Sequence, residues 1–126
     1  GICDFWPVSS ATLGRLYEAT YGGEWPAEKV DIMGERIFNL QRMFNIMAGF
    51  GRTEDTLPER FYKELLKEGP PKDKPMTREA FDRAMDEYYA CRGWDERGRP
   101  IPEKLRELGI EEKFVGAYEK YLSRSG

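Results

Sequence analysis

Apolar side chains recur every three or four residues along the segment that follows Pro26. They fall at Val30, Met33, Ile37, Leu40, Phe44 and Met47. This spacing places all six on one face of an α-helix, whereas a half-buried strand needs alternation at every second residue, a pattern that we find nowhere in the chain. The segment therefore predicts a helix with a continuous apolar seam and favours an all-α fold.

Three more apolar residues of this segment, Phe38, Met43 and Ile46, lie off the seam. Their positions predict a helix that is contacted on more than one side and is central to the fold. Gly34 lies on the seam side, and glycine inside a helix costs about 1 kcal/mol. We therefore expect Gly34 to permit the close approach of another backbone.

Capping residues predict where other helices begin and end. Ser9 or Ser10 can accept hydrogen bonds from the first turn of a helix that ends at Gly22, and Thr77 can do the same for a helix that ends at Gly93. The remaining helices are predicted to start near Pro26, Pro58, Pro102 and Glu111. Residues 69–75, GPPKDKP, are predicted to form a linker. About six helices and no sheet predict a single compact all-α bundle over 126 residues.

The composition excludes several classes of function. With 20 basic and 23 acidic residues the formal net charge is -3, so the chain lacks the general basic field that a nucleic acid requires. No apolar run approaches the length of a membrane span, and we expect a cytoplasmic protein. The chain has no histidine, which removes serine–histidine triads and the usual zinc sites. Scarce amides and abundant charges lean toward a heat-adapted source.

The two cysteines, Cys3 and Cys91, cannot enclose a metal by themselves, because such sites need about four ligands. Cys91 follows Tyr88 by three residues on the apolar face of the helix that Thr77 caps. The spacing therefore predicts Cys91 to be a buried, inert thiol. From the residues alone, Cys3 in its apolar surroundings is also best interpreted as a core or domain-interface residue.

Other residues are weaker candidates for a site. Four charged residues of the loop after the seam helix are able to orient a cofactor: Arg52, Glu54, Asp55 and Arg60. Ion pairs packed over the short helix that follows are the favoured interpretation of these four. Helical spacing places Tyr88 in the core, which leaves Tyr89 and Trp94 as partial candidates for the wall of a substrate channel.

Four longer segments of the chain are distinctive in their order and in their separations. They are ERIFNLQRMFN at 35–45, RTEDTLPERF at 52–61, DEYYACRGWDERGRP at 86–100 and PEKLRELGI at 102–110. Together they resemble the C-terminal region of the tungsten-containing aldehyde:ferredoxin oxidoreductases, and the resemblance covers nearly the whole chain.

The resemblance implies roles for the first three residues. In that family a D-x-x-G-L-C motif brings a cysteine thiolate to a 4Fe-4S cluster and contacts the pterin cofactor that holds tungsten. Gly1, Ile2 and Cys3 match its second half, with Ile in place of Leu, and its aspartate would lie upstream of Gly1. The resemblance therefore implies that these residues bind cofactor, that Cys3 is a metal ligand, and that this chain holds no catalytic residue.

The resemblance also implies a function. Residues 1–126 would form the C-terminal helical domain of a larger enzyme that oxidises an aldehyde to a carboxylic acid and passes electrons through the cluster to ferredoxin. Its partners would be the remaining domains of that enzyme, ferredoxin and the aldehyde, and the isolated chain would bind no cofactor and be inactive. Two alternatives stay open: a self-standing helical interaction module without catalysis, and a thiol switch at Cys3, which has Asp4 nearby and no adjacent cation to lower the thiol pKa.

Overall fold

A computed structural model of the chain describes residue 5 and residues 8–65, 68–69 and 76–124. Within these residues lie six α-helices: α1 (Ser10–Tyr21), α2 (Ala27–Met47), α3 (Arg60–Lys63), α4 (Arg78–Arg92), α5 (Pro102–Glu107) and α6 (Glu112–Arg124). The same residues form no β-strand, so the predicted all-α class is confirmed. The first three residues and most of the predicted linker lie outside the described part of the chain.

The predicted helix ends are confirmed at both capped helices. Ser9 Oγ accepts a hydrogen bond from the Thr12 amide at 3.3 Å, at the start of α1. Thr77 Oγ1 accepts from the Ala80 amide at 3.1 Å, at the start of α4. Gly93 follows α4 in the left-handed conformation, with a φ of 68°. Local hydrogen-bonding chemistry therefore sets these boundaries.

The close backbone approach occurs at Gly14 and not at Gly34. A Cβ atom at Gly14 would lie 2.0 Å from the carbonyl oxygen of Trp25, which means that α1 rests directly on the chain entering α2. A Cβ at Gly34 would meet no atom within 4 Å. The expectation for Gly34 is therefore wrong, because α1 crosses α2 near its first turns and does not reach Gly34.

The seam predicted on α2 is buried only at its start. Val30 is buried and Met33 is half-buried, but the four later seam residues are exposed. The residues that α2 buries beyond Val30 are Asn39, Arg42, Met43 and Ile46. This corrects the predicted seam: α1 covers the beginning of α2, and α6 packs against a different face of its second half.

The described core lies where the second half of α2 meets α5 and α6. It consists of Met43, Ile46, Leu105, Ile110, Val115 and Tyr118. Val115 and Tyr118 of α6 are fully buried in this core, whereas Phe114 of the same helix is exposed. Burial of these side chains at about 1.5–3 kcal/mol each makes this three-helix contact the main source of stabilisation among the described residues.

On α4 the buried face differs by one residue from the predicted one. Tyr89 is 2% exposed and Tyr88 is 37% exposed, so the expectation that Tyr88 is the core tyrosine is wrong. Cys91 is also exposed, which corrects the expectation of a buried thiol. Phe81, Met85 and Tyr89, spaced by four residues, form the side of α4 that faces the rest of the chain. No helix among the described residues is both long enough and apolar enough to span a membrane.

Candidate functional site

The cofactor-binding residues that the resemblance implies, Gly1, Ile2 and Cys3, lie outside the described residues. Among the residues that it does describe, no three His, Cys, Asp or Glu side chains are grouped as metal ligands would be. Cys91 is a free, exposed thiol on α4. The most organised polar site in the described chain is elsewhere, between α2, α4 and the loop at 49–58.

Arg42 is the centre of this polar site. Its guanidinium projects from the buried side of α2 and donates to both carboxylate oxygens of Asp55, with Nη1 at 2.9 Å from Oδ1. Its Nε donates to the carbonyl oxygen of Gly98 at 2.7 Å. One side chain thereby ties the loop at 49–58 and the turn at 95–98 to α2. Such a bidentate pair fixes the geometry of both partners.

Two aromatic residues complete the polar site. The Tyr89 hydroxyl, from α4, donates to Asp55 Oδ2. The Trp94 indole donates to Asn39 Oδ1 at 2.8 Å, and the Arg42 guanidinium lies 4.7 Å from the centroid of the Trp94 ring. The buried amide, indole and guanidinium therefore all have partners, as buried polar groups require.

Burial and hydrogen bonding together set the charge of this site. Burial on its own raises the pKa of Asp55, but hydrogen bonds from Arg42 and Tyr89 outweigh it and hold that pKa below its usual value. Burial and the hydrogen bond to Asp55 raise the pKa of Tyr89 to about 12. At neutral pH the carboxylate is therefore ionised and the phenol protonated. Neither group exchanges protons near neutral pH, so the site can fix a structure but is unsuited to acid–base catalysis.

A groove of about 200 Å³ lies over this site. It is lined by Phe38, Gln41, Arg42, Asn45, Asp55, Met85, Tyr88, Tyr89 and Trp94. The rings of Phe38 and Trp94 stack with an interplanar angle of 7° along one wall. The groove thus combines flat aromatic walls with polar groups whose positions are fixed, and it includes both aromatic residues proposed from the sequence as a channel wall.

Most of the charged loop residues form ion pairs, as predicted. These pairs were expected to pack over the short helix α3, but most of them join the loop to α2 and α4. Asp55 pairs with Arg42 of α2, and Arg52 Nη1 lies 2.6 Å from Asp86 Oδ1 of α4. Arg60 pairs with Glu64 at the end of the short helix α3. The loop is therefore packed over α2 and α4, with only Arg60 on α3. Glu54 accepts a hydrogen bond from the Gly51 amide within the loop.

Sequence reasoning missed Arg42, although a signal for it exists. Between residues 37 and 51 the chain reads IFNLQRMFNIMAGFG, and Arg42 is the single charge. Arginine is almost never fully buried unless it is paired, so a lone arginine among apolar helical residues is a candidate for a buried side chain with a partner. Its partners lie 13 and 56 residues away in sequence, which helical periodicity does not indicate.

Comparison with known proteins places this helical chain among oxidoreductases. A family model described as aldehyde ferredoxin oxidoreductase, domains 2 and 3, matches residues 1–110. A tungsten-containing aldehyde ferredoxin oxidoreductase of Pyrococcus horikoshii is 41% identical over 115 residues, which is 89% of this chain and 18% of that protein. The enzyme of the same name from Pyrococcus furiosus is 41% identical over 117 residues, or 90% and 19%.

A more distant relative has another name. The WOR-like subunit of an aliphatic sulfonate oxidoreductase of Pyrococcus furiosus is 39% identical over 92 residues, which is 69% of this chain and 15% of that protein. The described fold and these matches define one helical domain of an oxidoreductase. The chain belongs to the aldehyde ferredoxin oxidoreductase family. It spans less than a fifth of the length of the curated relatives that it matches.

Proposed function

We propose that residues 1–126 are the C-terminal helical domain of a tungsten-containing enzyme that oxidises aldehydes to carboxylic acids and passes the electrons to ferredoxin. The observation that carries this proposal is the family match over residues 1–110, together with 41% identity to enzymes named for that tungsten chemistry. When bound, the tungsten-pterin supplies the two-electron oxidation and the 4Fe-4S cluster supplies the electron exit. This chain supplies binding and positioning groups.

Cys3 is the proposed cluster ligand, and Gly1 and Ile2 are proposed to lie beside the pterin. A cysteine thiolate is the standard ligand of a 4Fe-4S cluster, which needs four of them. The chain has one other cysteine, Cys91, and it is exposed on α4. The proposal therefore gives this chain one ligand and assigns the other three to the remainder of the enzyme.

The groove over Arg42 and Asp55 is the proposed contribution to the cavity wall. Its aromatic side is held by the stack of Phe38 on Trp94, and Trp94 is held in turn by its hydrogen bond to Asn39. Because Asp55 is ionised and fully paired with Arg42 and Tyr89, these groups keep a fixed arrangement at neutral pH. Such a wall positions neighbouring groups and excludes water without taking part in proton transfer.

Replacement of each cysteine in the full-length enzyme, purified without oxygen, tests the ligand role. We expect Cys3→Ala to lose the iron of one 4Fe-4S cluster per chain and the visible absorption that accompanies it. Cys91→Ala is the matched control, because it removes a thiol that the structure places on the surface. That variant should keep full iron content. A Cys3→Ala enzyme with undiminished iron and an unchanged spectrum would remove the ligand role.

A further inference from the structure

One exposed side of α2 carries no charged residue. We define this uncharged face by eight exposed residues: Ile37, Phe38, Leu40, Gln41, Phe44, Asn45 and Met47 of α2, and Ala48 at its C-cap. Phe44 is 73% exposed and Ile37 is 51% exposed. The single charged residue within this stretch, Arg42, is turned inward to Asp55 and Gly98. A large aromatic ring and an aliphatic side chain therefore stand in solvent with no charge beside them on the helix.

The absence of charge on this face contrasts with the rest of the chain. Charged residues make up 34% of the sequence, a share also typical of solvated protein surfaces, so about three of eight exposed positions should be charged. Depletion of charge around exposed aromatic and aliphatic side chains is the compositional mark of the centre of a protein interface. The uncharged face therefore has the composition of a surface that is covered in use.

The amide side chains of the chain have the same distribution. The sequence contains three, Asn39, Gln41 and Asn45, and all are on α2. Asn39 is buried and accepts the hydrogen bond of Trp94, whereas Gln41 and Asn45 belong to the uncharged face. Neutral amides can satisfy backbone groups across an interface without the cost of desolvating a charge. Gln41 and Asn45 also line the groove over Arg42 and Asp55, so the uncharged face borders the proposed cavity wall at this edge.

The uncharged face continues a surface that is already covered at one end. Its residues Ile37, Leu40 and Phe44 extend the spacing of Val30, which is buried, and Met33, which is half-buried. The covering helix α1 lies against the chain entering α2, since Gly14 touches Trp25 there. Beyond Met33 the apolar stripe continues along the same side of α2, and Ile37, Leu40 and Phe44 are exposed there.

We propose that the uncharged face of α2 docks against another part of the same polypeptide, outside the 126 residues. This inference rests on the proposed function, in which the chain is one domain of a longer enzyme. The length of the curated relatives supports this choice. The chain matches 18% of the Pyrococcus horikoshii protein, so an enzyme of that length has ample further polypeptide to cover the face.

The size of the face favours this occupant over a second copy of the chain. From Ile37 to Ala48 the helix is about 18 Å long and about 10 Å wide, a patch of a few hundred Å². Stable dimers bury roughly 800 Å² on each partner. A patch of this size is too small to hold two separate molecules together. It is sufficient within one polypeptide, where the connecting chain keeps the local concentration of the partner surface high.

Two methionines of similar exposure allow a direct test in the intact holoenzyme. Met47 belongs to the uncharged face and is 45% exposed, whereas Met76, before α4, is 43% exposed. A methionine-selective oxaziridine applied under argon, with the guanidinium-unfolded enzyme as the reference for intrinsic reactivity, reports how accessible each one is. We expect Met47 to react at least about tenfold more slowly than Met76, because reaction then requires local opening of the interface.

Two variants and one dilution series show whether the protection of Met47 comes from the proposed contact. Phe44→Asp should bring the rate of Met47 to within about threefold of that of Met76, since a buried unpaired charge opens the contact. Phe61→Asp changes an exposed phenylalanine of α3 and should leave the tenfold difference intact. Equal rates for the two methionines in the unmodified enzyme would overturn the proposal. Protection of Met47 that disappears on dilution would overturn it in favour of a second copy. The methionine oxidation rates do not depend on Cys3. An experiment that overturns this proposal therefore leaves the ligand role of Cys3 untouched, and the reverse is also true.

Discussion

The backbone at Gly98 passes so close to Arg42 that a Cβ atom there would lie 2.3 Å from Arg42 Nη2. The same Cβ would lie 2.8 Å from the ring of Tyr89, and Gly98 has a φ of 71°. Only glycine satisfies both conditions, because the left-handed conformation disfavours side chains and the space is already filled. The turn at 95–98 is thus shaped to the guanidinium that it contacts.

Substitution of this glycine should therefore be costly. We expect Gly98→Ala to lower the free energy of unfolding of the chain by about 2–4 kcal/mol, from backbone strain and overpacking together. Gly34→Ala is the matched control, because it adds the same methyl group in the middle of α2 with no atom within 4 Å. It should raise stability by up to about 1 kcal/mol. Urea unfolding measures both, and equal effects of the two substitutions would contradict the assigned role of Gly98.

The stability supplied by Asp55 should depend on pH in the acid range. Its pKa is lower in the folded chain than in the unfolded chain, mainly because of the hydrogen bond from Arg42 acting against burial. The contribution is therefore fully present above the unfolded pKa near 4 and is lost as the pH falls through the folded pKa. We expect Asp55→Asn to lower the free energy of unfolding by about 1–3 kcal/mol at pH 7. Below about pH 4 the free energies of unfolding of the variant and the unmodified chain should become more alike.

An exposed ion pair provides the control for Asp55. Glu64→Gln removes the partner of Arg60 at a site where both side chains are mostly in solvent. This change should cost less than about 0.5 kcal/mol. Guanidinium unfolding at a series of pH values gives both comparisons. If Asp55→Asn were as mild as Glu64→Gln at pH 7, Asp55 would have no special part in holding the loop.

Two tyrosines near the core should respond in opposite ways to loss of their hydroxyl groups. The Tyr118 hydroxyl is buried and has no hydrogen-bond partner among the described protein atoms, whereas Tyr121 donates to the carbonyl oxygen of Ile46 at 2.9 Å. Tyr118→Phe should leave the free energy of unfolding unchanged or raise it. Tyr121→Phe should lower the free energy of unfolding by about 1 kcal/mol. Thermal unfolding of both variants measures the difference. A marked loss of stability in Tyr118→Phe would mean that its hydroxyl has a partner in solution.

The 126-residue chain should have no catalytic activity when it is purified alone. It contributes one proposed cluster ligand, and a 4Fe-4S cluster needs four. We therefore expect no aldehyde-dependent reduction of a redox dye by this chain, even after incubation with iron and sulfide, while the full-length enzyme reduces the dye. Dye reduction by the chain alone would contradict the assignment of the remaining ligands to other parts of the enzyme.

Helices and their ends were predictable from the sequence because their causes are local. Ser9 and Thr77 act within three residues of their own positions, and Gly93 ends α4 through its own backbone freedom. The all-α class follows from the same short-range patterns. Each of these features depends on residues that are close in sequence, where spacing and side-chain chemistry can be read directly.

The buried faces were harder to predict because they depend on elements far along the chain. The stripe containing Ile37 and the one containing Ile46 are both apolar, and the positions of α5 and α6 decide that the second is buried. Tyr88 and Tyr89 differ by one residue, and the hydrogen bond to Asp55 selects Tyr89. The site around Arg42 depends on contacts across as many as 56 residues, which helical periodicity does not encode.

The mutual pairing of Arg42, Asp55 and Tyr89 also constrains how related sequences can diverge. Loss of any one of the three leaves the others with an uncompensated buried group, so single replacements are disfavoured whereas joint replacement by apolar residues of similar size is tolerated. Across members of the family these three positions should covary, with the whole triad kept or the whole triad exchanged.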